Sequence, residues 1–284
     1  MMISREERKK RRIGFAFFFV LSFGLSTNAI AQGDRAANQP SDRASNRERQ
    51  EKLVTGLSHQ DKEQRMEALV ELSALFRSAP GIITDSTLTA LSETLQHDSS
   101  PVVRALAARA LELGGDAKAS GPLRAALVKE KEVAVRKAIA YALARYPSLP
   151  VTLTLIDLLK DKNQEMRAAA AYGLAEAGDP SALKPLIDFL RKRASNEDSF
   201  ARAQAARGLG KIARREAVEP LLRLLTRDDS GEVRRESAIA LGNIATKQDQ
   251  KVIDALHEAT LSSDPYLSTA ADDALANIHS RSLL

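Results

Sequence analysis

The chain has 284 residues, of which 44% are hydrophobic but only 4% aromatic, and it contains neither Trp nor Cys. Alanine-rich runs, and the lack of alternating polar and apolar stretches between turn pairs, exclude a β-sandwich, a β-barrel and a doubly wound α/β enzyme. An ordinary charged fraction of 28% excludes a wholly disordered chain, and the absence of Cys excludes disulfides and thiolate chemistry.

Residues 1–31 are predicted to be a secretory signal peptide. They begin with a basic segment that ends at Arg12, continue with an apolar segment over Ile13–Leu25, and end in the sequence AIA. This order is typical of an export signal that is cleaved after Ala31. The alternative is an uncleaved membrane anchor, but the 13 apolar residues reach only about 20 Å in a helix, against a hydrocarbon core of roughly 30 Å. We therefore expect a periplasmic or secreted protein with no stable membrane insertion after cleavage.

The positive charge of the chain is concentrated in this signal. The formal net charge is +5, but residues 1–31 hold six Lys or Arg against two acids, a net charge of +4. The remaining residues hold 36 bases against 35 acids, which is +1. Because binding of a polyanion by counterion release needs several clustered cations, no nucleic-acid partner is expected.

Residues 32–46 form a predicted flexible linker, because QGDRAANQPSDRASN has no apolar face that would offset the entropy of ordering it. The segment 47–284 is predicted to be a repeat domain. Seven stretches of thirteen residues, which we call words, align without gaps and start at Gln64, Val103, Val135, Met166, Ala201, Val233 and Leu267. Their starts lie 39, 32, 31, 35, 32 and 34 residues apart, a period that is typical of stacked repeats.

Each word is predicted to be the second helix of a helix pair. Positions 1, 5, 9 and 12 of the word are apolar or small, which is the stripe of an amphipathic helix. Another helical segment precedes the word, as in ALKPLIDFL from Ala182 and AVEPLLRLL from Ala217, where Pro185 and Pro220 are expected to kink it. Such pairs bury their apolar faces only by stacking on neighbours. The predicted fold is therefore all-α, an α-solenoid or superhelix of about seven antiparallel helix pairs.

With this pattern the chain resembles the HEAT repeat family, in particular the HEAT-like repeats of phycobilisome bilin lyases, over about residues 48 to 280. The specific mark is an acid in the turn between the two helices, six residues before an arginine at position 2 of the word. The resemblance implies that these residues form a ladder that ties successive turns together. The predicted members are Asp98 with Arg104, Glu130 with Arg136, Asp161 with Arg167, Asn196 with Arg202, and Asp228 with Arg234.

The ladder is expected to be broken at both ends, because His59 precedes Arg65 and Ser262 precedes Ser268 at the same spacing. Atypical terminal repeats are needed as caps of a stacked array. A functional alternative is that the regularly placed arginines form a track for phosphate or carboxylate groups. The structural interpretation is favoured, because an arginine with an acid partner has little left to offer a ligand.

An enzyme is the competing class of protein. Bilin lyases act on a cytoplasmic antenna, which a signal peptide contradicts, and HEAT-repeat deoxyhypusine hydroxylase carries several paired His-Glu motifs as iron ligands. Here the only such pair is His257-Glu258, on the first helix of its repeat, and a lone pair does not supply a metal site. We therefore expect no catalytic residues, no cofactor and no metal.

Positions 4, 7 and 11 of the words are predicted to point together away from the stack, onto the surface that is concave in HEAT-like solenoids. Arginine and tyrosine, residue types that are enriched at interface hot spots, recur there. The predicted partner-binding residues are Arg109, Tyr141, Arg145, Tyr172, Arg207 and Lys211. The alternative is that the two tyrosines only cover alanine-rich helix backbone.

These features together favour a non-catalytic protein–protein interaction scaffold that is exported to the cell envelope and binds a protein partner on its concave helix face. One alternative is an accessory subunit or chaperone of an envelope enzyme. Another is an enzyme of the HEAT-like lyase or hydroxylase type, which would require a bound metal or cofactor.

Overall fold

The computed structural model describes residues 40–192 and 198–281. The predicted signal peptide, residues 32–39 of the predicted linker, and Asn196 of the predicted ladder lie outside these residues. The described residues contain helices and turns but no β-strand. The fold is an all-α solenoid, as predicted.

Fourteen α-helices follow one another in the described part of the chain. They are α1 (Pro40–Gly56), α2 (Lys62–Ser78), α3 (Asp85–His97), α4 (Pro101–Gly114), α5 (Ser120–Lys129), α6 (Val133–Ala144), α7 (Leu149–Leu158), α8 (Gln164–Ala177), α9 (Leu183–Lys192), α10 (Ser199–Ile212), α11 (Val218–Arg227), α12 (Gly231–Ile244), α13 (Gln250–Thr260) and α14 (Pro265–Ser280). Each even-numbered helix contains all or most of one word and packs on the odd-numbered helix before it in most repeats, for example α4 on α3 and α12 on α11. The helices therefore form seven pairs.

The chain forms two compact units, residues 1–142 and 143–284, with their boundary inside α6. In the first unit α2 packs against α4, and α3 contacts both α1 and α5. In the second unit α8, α10, α12 and α14 pack side by side in that order. Leucines at position 9 of the words, such as Leu111 and Leu209, are fully buried between these helices. The amphipathic stripe of the words thus forms the core of each unit.

Small residues let the second helices of unit 2 approach one another closely. A Cβ atom on Gly208 of α10 would lie 3.1 Å from the Cα atom of Ala175 in α8. A Cβ atom on Gly210 would lie 2.9 Å from the Cα atom of Ala240 in α12. Helix α10 is therefore in near-backbone contact with a neighbour on each side.

Helix α1 begins at Pro40, so residues 40–46 are helical and the predicted linker 32–46 is wrong in that part. The helix is anchored by Gln50, which is buried and donates from Nε2 to the carbonyl of Ile82 at 2.9 Å. Its Oε1 accepts the N–H of Thr84 at 3.1 Å. Once a helix is anchored, each added residue gains one hydrogen bond without a new nucleation cost, so the helix extends past its apolar part.

Pro185 and Pro220 do not lie in helix interiors, contrary to the expected kinks. A 3₁₀ turn over Pro180–Ala182 precedes α9, which begins at Leu183, and the turn Arg215–Ala217 precedes α11 in the same way. Each proline is the third residue of its α-helix. The first turn has no intrahelical acceptor for its N–H groups, so a proline there costs no hydrogen bond.

Among residues 40–192 and 198–281, no helix combines the length and the apolar character needed to cross a membrane.

Candidate functional site

The arginine at position 2 of a word is held by two different partners, as Arg104 shows. Its Nη1 donates to the carbonyl of Asp98 in its own turn at 2.8 Å. Its Nε and Nη2 donate to the two carboxylate oxygens of Glu130, in the turn of the next repeat, at 2.7 and 3.0 Å. The hydrogen bonds to Glu130 raise the pKa of Arg104 above its ordinary value. The arginine therefore joins two consecutive turns.

The same offset recurs along the ladder and corrects the predicted pairing. The acid six residues before an arginine offers its backbone carbonyl, whereas the carboxylate comes from the following repeat. The observed ion pairs are Arg65 with Asp98, Arg104 with Glu130, Arg167 with Asp198, and Arg202 with Asp228. Arg136 and Asp161 occupy equivalent positions, and the carbonyl of Asp161 accepts from Arg167 Nη1 at 2.9 Å.

One carboxylate of the ladder comes from a residue that the sequence analysis missed. Asn196 was the predicted member, but Asp198, two residues later, accepts from Arg167 Nε at 2.8 Å through Oδ1. Asp198 directly precedes α10 and is buried. An acid in the same turn is a weaker sequence signal than a fixed six-residue spacing, which is why the pattern did not select Asp198.

The two ends of the ladder differ from each other. The predicted break in the first repeat is wrong, because Arg65 bonds Asp98 through Nε and Nη2 and donates from Nη1 to the carbonyl of His59. In the sixth repeat, the last one with an arginine at this position, Arg234 donates to the carbonyls of Asp228 and Asp229 at 2.8 and 3.2 Å. Within the described residues it makes no ion pair, and Ser262 stands at the six-residue position of the next turn.

Burial removes the central ladder arginines from the surface. The side chains of Arg202 and Asp228 are 2% and 6% exposed, and those of Arg167 and Asp198 are similarly buried. From this buried position, Arg167 bonds the carbonyls of Asp161 and Lys162 and the carboxylate of Asp198. These arginines therefore act in the fold rather than as a ligand track.

A second set of polar contacts joins the starts of consecutive repeats. Lys118 Nζ lies 2.7 Å from Asp85, Thr152 Oγ1 donates to Asp179 at 3.0 Å, and Arg215 makes two 2.6 Å hydrogen bonds to Asp249. The sequence analysis did not find these pairs, because their spacing is irregular and their residue types differ from repeat to repeat.

In unit 2 the residues at positions 7 and 11 of α8 and α10 form a connected cluster, which we call the inner cluster. It consists of Tyr172, Glu176, Arg207 and Lys211. The Cζ atom of Arg207 lies 5.5 Å from the ring centroid of Tyr172, within the range of a cation–π interaction. Arg207 Nη2 and Lys211 Nζ lie 2.5 and 3.4 Å from the two carboxylate oxygens of Glu176. One carboxylate therefore positions two cations beside an aromatic ring.

The other three predicted binding residues are Arg109, Tyr141 and Arg145. Arg109 is on α4 and forms a 2.5 Å ion pair with Glu112 of the same helix. Tyr141 is half-buried on α6, and Arg145 is exposed just after that helix. The structure thus brings together three of the six predicted residues and adds Glu176, which the prediction left out.

Two further residues belong to the same face of unit 2. Ile239, at position 7 of α12, is 41% exposed. Gln204, at position 4 of α10, is buried, and the equivalent residues are Ala169 in α8 and Glu236 in α12.

In the described part of the chain, no group of three His, Asp or Glu side chains is arranged to hold a metal ion. His257 and Glu258 are exposed on α13.

Stacked antiparallel helix pairs with a polar ladder define an α-solenoid repeat protein. Three overlapping segments, residues 88–153, 122–198 and 187–276, match the family description HEAT repeats and together span more than half of the chain. The chain therefore belongs to the HEAT repeat family.

Three solved structures are similar to this chain. An engineered protein is 24% identical, with a TM-score of 0.56, over 99% of this chain and 76% of its own. YibA of Escherichia coli is 16% identical, with a TM-score of 0.55, over 87% and 89%. The complex of CpcE and CpcF of phycocyanin lyase from Nostoc is 19% identical, with a TM-score of 0.51, over 81% and 94%. At these identities the likeness shows the fold and not an activity. No curated protein matches the chain.

Proposed function

We propose that this chain is an exported, non-catalytic scaffold that binds a protein partner on the inner cluster of unit 2. Membership of the HEAT repeat family supports a repeat scaffold. The observation that carries the proposal is the arrangement of Tyr172, Arg207 and Lys211 around Glu176.

The inner cluster has the properties of an interface hot spot. The ring of Tyr172 and the guanidinium of Arg207 are half-buried, so their conformations are restrained while part of each remains open to a partner. Restrained aromatic and arginine side chains lose little conformational entropy on binding. Exposed Ile239 lies on the next second helix and adds apolar area that a partner would remove from water.

The opposing interpretation is that Tyr172 only covers alanine-rich backbone. That role requires a buried ring but not a cation stacked on it or a carboxylate shared by two cations. Unlike the buried ladder arginines, Arg207 and Lys211 keep 33% and 42% of their side chains exposed beside Glu176, which favours recognition over simple coverage.

Export is part of the proposal, because the arrangement of basic, apolar and AIA segments before Gln32 is that of a cleavable signal. The partner is then a protein of the periplasm or of the extracellular side.

Site-specific photo-crosslinking in the producing organism tests the binding surface. A benzophenone amino acid is placed at Lys211 or Ile239, both exposed on second helices, and as a matched control at Arg223, exposed on first helix α11. We expect a crosslinked adduct of defined mass from Lys211 and Ile239 but not from Arg223. Tyr172→Ala should reduce the yield at Lys211 at least tenfold, which corresponds to about 1.4 kcal/mol.

Adducts from Arg223 alone, or none from the two inner positions, would contradict the proposed surface. Mass spectrometry of the adduct identifies the partner, and an enzyme as partner would make this chain its accessory subunit.

A further inference from the structure

The last arginine of the ladder, Arg234, is held in its own turn in the same way as the others. Its Nη1 donates to the carbonyls six and five residues earlier in the chain. Nη1 of Arg104 bonds two carbonyls at the same spacings, and this leaves Nε and Nη2 of Arg104 directed at the next turn, where they bond Glu130. The same two carbonyl bonds therefore direct Nε and Nη2 of Arg234 at the turn between α13 and α14.

That turn offers Arg234 no carboxylate. Ser262 holds the six-residue position, and its Oγ accepts the N–H of Asp264 at 3.1 Å. Within the described residues, Nε and Nη2 of Arg234 make no hydrogen bond, and neither atom is fully shielded from solvent. A group that approaches from outside can therefore reach both donors.

Asp264 is the one acid in the sequence of this turn, and an internal ion pair with Arg234 is the alternative to an external partner. In the fifth repeat, Asp198 stands at the equivalent place, three residues before the word, and pairs with Arg167. The side chain of Asp198 does not cap its helix, whereas Oδ1 of Asp264 accepts the N–H groups of Tyr266 and Leu267 at 3.0 and 3.4 Å. Asp264 is thus bound to the N-terminus of α14, where the helix dipole stabilises its charge.

Two exposed apolar side chains border the same turn. Leu261 and Tyr266 are 86% and 71% exposed. The residue equivalent to Leu261, one before the six-residue position, is polar in each of the other repeats. These residues are Ser58, His97, Lys129, Lys160, Ser195 and Arg227. A partner that covers Leu261 and Tyr266 would remove apolar area from water on the turn that Arg234 faces.

We propose that the guanidinium of Arg234 binds an aspartate or glutamate side chain of a second protein, whose neighbouring apolar residues cover Leu261 and Tyr266. The two carboxylate oxygens accept from Nε and Nη2, and the hydroxyl of Ser262 is a further donor. A side-chain carboxylate is the group that the equivalent arginines bind in earlier repeats, as Arg104 does, and such charge-assisted bidentate pairs are strong. This surface is separate from the inner cluster, so the inference goes beyond the proposed function.

An acid placed in the chain itself tests whether Arg234 is open to a carboxylate. Ser262→Asp puts a carboxylate at the six-residue position, where it should pair with Arg234. We therefore expect the change in Tm caused by Ser262→Asp to be more favourable in the wild type than in Arg234→Gln. Equal changes in the two backgrounds would overturn the proposal. A lower Tm of Ser262→Asp in the wild type alone would overturn it as well, because that result shows that Asp264 already pairs with Arg234 and repels the new acid.

Peptides serve as the probe for the partner. A library of random twelve-residue peptides, displayed with free C-termini, is selected on the immobilised mature chain and depleted on Ser262→Asp, whose own carboxylate blocks the arginine. We expect the enriched peptides to share an Asp or Glu beside an apolar residue. The best peptide should bind Arg234→Gln at least tenfold more weakly than the wild type. The matched control Arg227→Gln removes an exposed arginine just before Asp228 and should bind as the wild type does.

Variants of the peptide identify the group that is bound. Replacement of its acid by Asn or Gln should weaken binding to the wild type at least tenfold but have no further effect on Arg234→Gln, and C-terminal amidation should change neither. Loss of binding on amidation, but not on replacement of the acid, would show recognition of an α-carboxylate and overturn the side-chain proposal. Failure of any peptide to enrich, or equal binding by Arg234→Gln, would overturn it too.

Discussion

Each buried arginine of the ladder places a charge in a region of low polarity. Its structural role is to connect two consecutive turns. Moving two charges out of water costs about as much as their attraction returns, so the pair Arg202–Asp228 adds little net stability. The geometry, however, is specific, because one planar guanidinium bonds carbonyls of one turn and the carboxylate of the next. We infer that the ladder sets the register between neighbouring repeats.

Removal of one ladder arginine should therefore be costly. Arg202→Ala leaves the buried carboxylate of Asp228 unpaired, and we expect a loss of about 3–5 kcal/mol in the free energy of unfolding. The control is Arg191→Ala, because Arg191 is 63% exposed and lies 3.9 Å from Asp188. That variant should change stability by less than about 0.5 kcal/mol. Denaturant titration measures both, and equal midpoints would refute a structural ladder.

Asp249 makes the stability depend on pH. The two hydrogen bonds from Arg215 hold the pKa of the Asp249 carboxyl well below its ordinary value. Because the folded-state pKa is below the unfolded one of about 4, the stabilisation is present above pH 4 and is lost as the pH falls below it. We expect Asp249→Asn to lose less stability between pH 7 and pH 3 than the wild type.

The control for this measurement is Asp229→Asn, which alters an exposed carboxylate without an ion pair in the described structure. Its loss of stability between pH 7 and pH 3 should match that of the wild type. The same pH dependence in all three proteins would show that the Arg215–Asp249 contact does not persist in solution.

Among the helices of unit 2, α10 is in close contact with a neighbour on each side. Gly208 faces α8 and Gly210 faces α12, and at both positions an added methyl group would meet backbone atoms. Helix propensity favours alanine over glycine by roughly 1 kcal/mol. The two glycines therefore allow close contact between helices rather than promote helix formation.

Gly210→Ala should consequently destabilise the protein despite its higher helix propensity. The new Cβ atom would lie 2.8 Å from the Cβ atom of Ala240, and overpacking of this kind typically costs about 1–3 kcal/mol. Gly121→Ala is the matched control, since no atom lies within 4 Å of the position that the added methyl group would take on α5. Calorimetry should show a lower Tm for Gly210→Ala and an equal or slightly higher Tm for Gly121→Ala.

The helices could be predicted from the words because burial repeats with the period of the helix. Positions 5 and 9 are buried in the words throughout, for example Ala170 and Leu174. The partner of each arginine could not be predicted in the same way. A fixed spacing of six residues identifies which residues lie near one turn, but it does not tell a carbonyl contact from a carboxylate contact.

The prediction of the site was limited for a related reason. Sequence periodicity placed Tyr172, Arg207 and Lys211 on one face, and the structure brings them together. It carried no information on Glu176 as their shared partner, because that contact depends on distances between helices.

At the scale of the whole molecule, the chain combines a repeat array with a predicted export signal. One prediction concerns the N-terminus of the mature protein. We expect envelope or secreted material to begin at Gln32, because AIA precedes it as a cleavage site. N-terminal sequencing and intact mass decide the point. Material that retains Met1 and stays in the membrane fraction would show an anchor instead.

The offset of the ladder has a consequence for how such a chain can lengthen. Each carboxylate belongs to the repeat after its arginine, as with Arg104 and Glu130. A segment that encodes one repeat, from one turn to the next, therefore has an unpaired acid at its first end and an unpaired arginine at its second. Tandem duplication of a gene segment joins these ends head to tail and restores every ion pair. An array built in this way can gain or lose whole repeats without leaving a buried charge alone at the junction.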